Sequence, residues 1–259
     1  MTMPEGDSVY QTARRLDVLT GQELTDTDFR VPSLATVDLS GRRVLETVSR
    51  GKHLLIRLAG EMTIHSHLRM EGGWDVQPAG APWRRPEHEA RVVLRTGRTA
   101  AIGFAVLVDV IATPAEHRLV GHLGPDLLGS DWDPDEALRR LERHAHVPLG
   151  EALLDQRIMA GIGNVYRAEL CFLTGVSPFA PVSAVADLPR LVGRSHQVLM
   201  AHRDRVSRIT TGDKRPGRRL WVYRRRGPCL RCGTPISVGE LGPEGQERTV
   251  WWCPSCQPG

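Results

Sequence analysis

Two cysteine pairs near the carboxyl end, Cys229-Leu230-Arg231-Cys232 and Cys253-Pro254-Ser255-Cys256, leave that part of the chain few ways to fold. Each pair brackets a tight turn. The 20 residues between them can form a hairpin that returns the second pair to the first. Four thiolates at this spacing match tetrahedral zinc. Two disulfides fit poorly, because the amino end shows no basic stretch followed by an apolar run that would mark secretion. With Cys229, Cys232, Cys253 and Cys256 all ligating, the metal keeps no open position. The expectation is one structural Zn2+. A segment of roughly 30 residues cannot bury a sufficient core, so the metal has to organise it. The fifth cysteine, Cys171, lies in a helical pattern and reads as a buried apolar filler.

The chain of 259 residues has room for further domains. No apolar run approaches the roughly 18–20 residues of a membrane span. The expectation is a cytoplasmic, nucleoid-associated protein with no membrane partner. Charge is uneven: residues 151–259 carry 16 Lys and Arg against 9 Asp and Glu, whereas residues 1–150 carry 18 against 21. A basic half favours a polyanionic partner. Seven of the 13 residues from Lys214 to Arg226 are basic, and they lie just before the first cysteine pair. That run reads as a footprint for phosphates. Of the 34 basic residues only Lys52 and Lys214 are lysines, the kind that can lose a proton.

Periodicity divides the rest. Val9, Ala13 and Leu16 fall at helical spacing, which predicts a helix over 7–19 capped by Asp7 or Ser8. Short apolar or alternating runs predict strands near 44–49, 53–58, 62–68, 89–95, 98–104 and 106–111, with a turn at Thr96-Gly97. Strands so spaced suggest a β-sandwich or barrel. Gly124-Pro125 and Asp133-Pro134 mark a junction. Helices are predicted over 133–143, 149–157, 164–173 and 188–208. Gly161-Ile162-Gly163-Asn164 interrupts this helical half, and backbone N–H groups at such a turn suit a phosphate.

Met3-Pro4-Glu5 carries a different chemistry. With Met3 removed, Pro4 would present a secondary amine, and an α-amino group has a pKa of about 7.7–8.0. Part of it is then nucleophilic at neutral pH, with Glu5 beside it as acid or base. The chain begins Met1-Thr2-Met3, so the expectation is that Met1 to Met3 are absent from the active protein.

Taken together, these motifs resemble the formamidopyrimidine-DNA glycosylase / endonuclease VIII family of base-excision repair enzymes, and its endonuclease VIII side most. Pro4-Glu5-Gly6-Asp7 resembles the family's amino-terminal signature. Ser49-Arg50-Gly51-Lys52-His53-Leu54-Leu55 resembles its lysine-bearing turn. Gly124-Pro125-Asp126 resembles its domain junction, Asp155 through Glu169 its helix–two-turns–helix segment, and the tail its zinc finger. The resemblance implies a multidomain α+β protein: an amino-terminal helix and β-sandwich over 1–114, a helix–two-turns–helix domain over 126–212 and a four-cysteine zinc finger over 221–257. It implies a monomer acting on damaged DNA, as a bifunctional glycosylase and abasic-site lyase. Pro4 would be the Schiff-base nucleophile, Glu5 the proton donor to the sugar, Lys52 the aid to β-elimination and Arg248 the aid to δ-elimination. Asn164, Arg69 and His122 would hold DNA, and Met70, in His67-Leu68-Arg69-Met70, would fill the gap left by a flipped nucleotide.

Two departures bear on substrate. The family's purine-directed members carry an arginine pair where this chain reads Ala100-Ala101-Ile102-Gly103-Phe104. The stretch from Thr210 to Cys229 is too short for their long lesion-capping loop. Both imply oxidised pyrimidines. The alternative is a zinc-dependent DNA-binding relative without catalysis, which would have no need of Pro4, Glu5 and Lys52 together.

Overall fold

The structure is a computed structural model that describes residues 4–258. The processing expected at Met1 to Met3 falls outside the described residues. The chain divides into two compact units between His122 and Leu123.

The first unit opens with helix α1 (Gly6–Leu16). It continues through strands β1 (Asp26–Phe29), β2 (Val44–Arg50), β3 (His53–Leu58), β4 (Met62–His67), β5 (Gly73–Pro78), β6 (Ala90–Arg95), β7 (Thr99–Phe104) and β8 (Leu107–Ala112), and ends in one turn of helix, α2 (His117–Val120). Two antiparallel sheets result, in the orders β2-β3-β4-β8 and β1-β6-β7-β5. Alternate residues of β3, Leu54, Ile56 and Leu58, face Val92 and Leu94 of β6 and Ala101 of β7 in one core. Val9, Ala13 and Leu16 of α1 join that core at their predicted helical spacing. Trp74 of β5 ties the two sheets, its Nε1–H donating to Ser66 Oγ on β4 at 3.2 Å. Trp74 fits because Gly103 opposes it; a Cβ there would meet Val92 at 2.8 Å and Trp74 at 3.2 Å.

The sandwich matches the expectation, but two of its strands lie outside it. β1 reads Asp-Thr-Asp-Phe and β5 reads Gly-Trp-Asp-Val-Gln-Pro. Each has only one strand neighbour. β1 buries only Phe29, and β5 is a short run bounded by Gly73 and Pro78, so neither shows a sustained apolar alternation. The α1 cap is also corrected. Glu5, not Asp7 or Ser8, is the capping position, and its carboxylate makes no cap bond; Asp7 lies within the first turn.

The second unit holds α3 (Pro134–Glu142), α4 (Leu149–Ala152), α5 (Asn164–Thr174), α6 (Leu188–His202) and the hairpin β9 (Ser237–Leu241) with β10 (Arg248–Trp252). Asp133 caps α3, accepting from the N–H groups of Asp135 and Glu136, both at 3.0 Å. The helix expected over 149–157 is a single turn. Gln156 replaces its continuation: the side chain donates to the carbonyls of Leu154 and Ile162, and accepts from Gly161 N–H at 3.0 Å. Gly161 has φ +113, so the turn needs glycine there. The helix expected to run to 208 stops at His202, because the chain folds back and the Ile209 N–H donates to His202 Nε2 at 2.8 Å. The core of this unit packs Leu149, Leu153, Ile158, Ile162, Tyr166 and Leu170 together.

Candidate active site and metal centre

The predicted residues fall into two sets, one in each unit. Pro4, Glu5, Lys52, Arg69, Met70 and His122 belong to the first; Asn164, Arg248 and the four cysteines belong to the second.

Pro4 is half-buried and Glu5 is fully buried at the start of α1. The backbone of Glu5 begins the helix, its carbonyl accepting from Val9 N–H at 3.1 Å. Lys52 sits in the two-residue turn that joins β2 to β3, between the paired Arg50 and His53. Gly51 gives that turn its left-handed step at φ +58. α1 packs along both of these strands. The β4–β5 turn holds Arg69 in the left-handed region, at φ +52, with its N–H donating to His67 Nδ1 at 3.1 Å. Buried Leu68 anchors the turn and leaves Met70 63% exposed at its tip. Met70 is therefore not the core residue that an isolated methionine would most often be. His122 is exposed.

Beside the lysine turn is a histidine group absent from the sequence reading. His53 Nδ1 lies 2.9 Å from His65 Nε2, and the rings stack. His67 meets the His53 ring edge-on. Burial, then the charges of His65, His67, His122 and Lys52, lower the pKa of His53 from its usual value to about 3. Between that value and the ordinary histidine value near 6.5, the unfolded chain takes up a proton that the folded chain refuses. Stability from His53 is complete above about pH 6.5 and is lost as the pH falls toward about 3. Melting curves should therefore shift down with acid, and less steeply for His53→Gln. An unchanged slope in that variant would sink this prediction.

In the second unit, α5 carries the site. Every residue from Asn164 to Phe172 is buried, the charged Arg167 and Glu169 included. Asn164 begins the helix, and its Nδ2–H donates to the Thr249 carbonyl at 3.0 Å, in β10 next to Arg248. Arg167 donates to Asn164 Oδ1 and to the Thr249 carbonyl, the latter at 2.8 Å. The side chain of Arg248 belongs to an exposed residue. Glu169 accepts from the backbone N–H groups of Trp221, Val222 and Tyr223 at 2.8–3.0 Å, and from Thr210 Oγ1. It fixes the segment that leads into the finger. Glu169→Ala would orphan the buried N–H groups of Val222 and Tyr223, at about 1–3 kcal/mol each, and the half-buried one of Trp221. We expect a loss of roughly 2–6 kcal/mol, read as a lower denaturation midpoint, with Glu169→Gln less affected. A midpoint unchanged by the alanine would contradict this anchoring role.

The basic run 214–226 forms a tight structure. Asp213 accepts from Arg215 and Arg218, which hold its carboxyl well below the usual carboxylate range. Thr210 and Thr211 bond back to Arg219 and Arg218 and close a short loop. Arg219, Arg224, Arg225 and Arg226, with Leu220 and Tyr223, line a cavity of about 420 Å³.

The cysteine sulfurs lie within 4.8 Å of one another. Cys232 and Cys253 are 3.4 Å apart and Cys229 and Cys256 are 3.9 Å apart. Tetrahedral zinc with bonds of about 2.3 Å needs sulfurs about 3.8 Å apart, so the donor set fits that metal. Burial and the neighbouring thiols push Cys256 up to about 12, while hydrogen bonds with Thr234 bring Cys232 down to about 6. A divalent cation at the centre would release such protons. The knuckles pack on α5: Cys229 and Cys253 share a core with Val165, Ala168 and Phe172. Gln257 donates to the Val176 carbonyl at 3.1 Å, which pins the second knuckle beyond the end of α5. Cys171 is buried, and burial raises its thiol to about 12, as suits an inert filler.

Comparison with known proteins adds three findings. Residues 3–105 match the formamidopyrimidine-DNA glycosylase N-terminal domain and residues 123–201 match the formamidopyrimidine-DNA glycosylase H2TH domain. The chain is 53% identical to a Streptomyces coelicolor protein named "Probable endonuclease 8 2", over 99% of this chain and 95% of that one. It is 50% identical to a Mycolicibacterium smegmatis protein named "DNA-(apurinic or apyrimidinic site) lyase Nei2", over 98% and 99% of the two chains. Among solved structures, MutM in complex with DNA containing carbocyclic 8-oxo-G shares the fold at a TM-score of 0.81 and 21% identity, with 99% of this chain and 100% of that one covered. Among the described residues, no helix is long and apolar enough to cross a membrane.

Proposed function

Because the chain belongs to the formamidopyrimidine-DNA glycosylase family, we propose that it is a bifunctional DNA glycosylase and abasic-site lyase that removes oxidised pyrimidines from DNA. The observation that supports this most is Glu5, a fully buried carboxylate directly after a half-buried Pro4. Pro4 attacks C1′ of the damaged nucleotide with its free secondary amine. Glu5 gives a proton to the sugar oxygen as the ring opens, the base leaves, and an iminium joins Pro4 to C1′. Loss of the C2′ proton then expels the 3′ phosphate, which is the β-elimination that Lys52 assists. Arg248 assists the second, δ-elimination of the 5′ phosphate.

Asn164, Arg69 and His122 hold the backbone, and exposed Met70 fills the space of the flipped nucleotide. Arg219, Arg224, Arg225 and Arg226 offer further charge to phosphates. Cys229, Cys232, Cys253 and Cys256 hold one Zn2+, which serves the fold of residues 221–257 and takes no part in the reaction. The closed 210–219 loop supports the pyrimidine preference, since it leaves no long arm to cover a purine lesion. So does the fully buried β7, which presents no arginine. We take residues 1–114, 126–212 and 221–257 as the functional domains of a monomer associated with the nucleoid.

A panel of duplex and single-stranded oligonucleotides, each with one lesion or one abasic site, tests this. Cleavage at oxidised pyrimidines and abasic sites, with borohydride trapping, is expected. Salt-dependent binding with neither cleavage nor trapping would leave the binding-only alternative.

A further inference from the structure

Arg167 takes no part in the reaction just described, yet it is fully buried in the middle of α5. Its guanidinium reaches three acceptors: Asn164 Oδ1, the Thr249 carbonyl at 2.8 Å and the Arg248 carbonyl at 3.5 Å. A guanidinium can only donate, so the Asn164 atom it meets has to be the amide oxygen. The amide nitrogen then faces the Thr249 carbonyl, which can only accept. Both contacts fix one orientation of the amide. The second Nδ2 hydrogen has no acceptor among the described residues, so the amide retains a donor for an anion. Turned over, the same amide would offer an oxygen to that anion and repel it.

We propose that Arg167 is a positioning residue for strand cleavage: it locks the Asn164 amide as a phosphate donor and holds the backbone of Arg248 at the start of β10. This rests on the lyase reading above. One side chain thus joins the group that holds the DNA backbone to the group that assists δ-elimination. Loss of Arg167 frees the amide to turn and the first residues of β10 to shift. The chemistry at Pro4 needs neither constraint, so Schiff-base formation and β-elimination persist while δ-elimination falls behind.

The test uses full-length, zinc-loaded protein on DNA bearing one preformed abasic site. Arg167→Met fills similar space without hydrogen bonds; Arg167→Lys keeps the charge but reaches fewer acceptors. For Arg167→Met we expect one zinc per chain and trapping within about twofold of the native protein. We also expect a δ-to-β product ratio at least tenfold lower and a higher KM for DNA. Arg167→Lys should restore part of the ratio. An unchanged ratio in zinc-loaded Arg167→Met would overturn the proposal. So would equal loss of trapping, β product and δ product in both variants, because general damage has no reason to single out one step. Failure of the lyase reading looks different: the native protein itself would then give no trapped complex and no β product.

Discussion

Protein whose first residue is Pro4 is expected to become covalently trapped on abasic-site DNA by borohydride; the same protein with any residue ahead of Pro4 is not. The distinction rests on one nitrogen. In a terminal proline the nitrogen is a secondary amine with a lone pair able to attack C1′. In an internal proline the lone pair is delocalised into the peptide bond and lost as a nucleophile. Reduction by borohydride captures the iminium only where it forms. Base removal and strand cleavage should fall at least ~1000-fold in the extended form, on the order of 4 kcal/mol of barrier at about 1.36 kcal/mol per tenfold. Both forms can be released from one cleavable fusion and checked by intact mass. They differ only ahead of Pro4, before α1 begins at Gly6, so their melting points should agree. An extended form as active as the Pro4-terminal one would refute the Pro4 mechanism outright.

What can be read ahead of the structure is local. The four cysteines announce the finger because ligand spacing is a property of short segments. β3 and β4 are visible because alternate residues face a core on one side. β1 is hidden because Asp-Thr-Asp-Phe buries a single residue, and β5 because Gly73 and Pro78 bound so short a run. The ends of α4 and α6 escape for another reason. Gln156 and His202 replace helical hydrogen bonds with side-chain bonds that periodicity cannot register. Glu169 lies at the end of a recognised motif, but its purpose depends on N–H groups 52 to 54 residues away. Arg167 is open to notice as a lone cation in Asn-Val-Tyr-Arg-Ala-Glu-Leu-Cys-Phe-Leu-Thr. Its acceptors on β10 lie 81 to 82 residues on and are out of reach of sequence reasoning. The histidine group is split between β3 and β4, and only their register brings it together.

Removal of the metal should have the other large effect, and it separates the two units. Structural zinc contributes about 10–16 kcal/mol in finger peptides, comparable with the roughly 5–15 kcal/mol that holds a whole domain. The apolar contacts of Val222, Tyr223, Cys229 and Cys253 with α5 cannot replace that. A strong chelator should release one zinc per chain and unfold the β9–β10 hairpin. Arg248 and Thr249 then leave Asn164 and Arg167, and Arg224, Arg225 and Arg226 lose their fold with the finger. The grip on phosphates is lost, so DNA binding and with it both elimination steps in the stripped fraction should drop to background. The β-sandwich has its own core, in which the finger takes no part, and should still melt cooperatively. Cys253→Ala, at a fully buried position, should abolish metal retention, whereas Cys171→Ala should leave one zinc per chain and full activity. Metal-free protein that cleaves at the native rate with an unchanged melting profile would contradict the zinc assignment and the dependence of Arg248 on it.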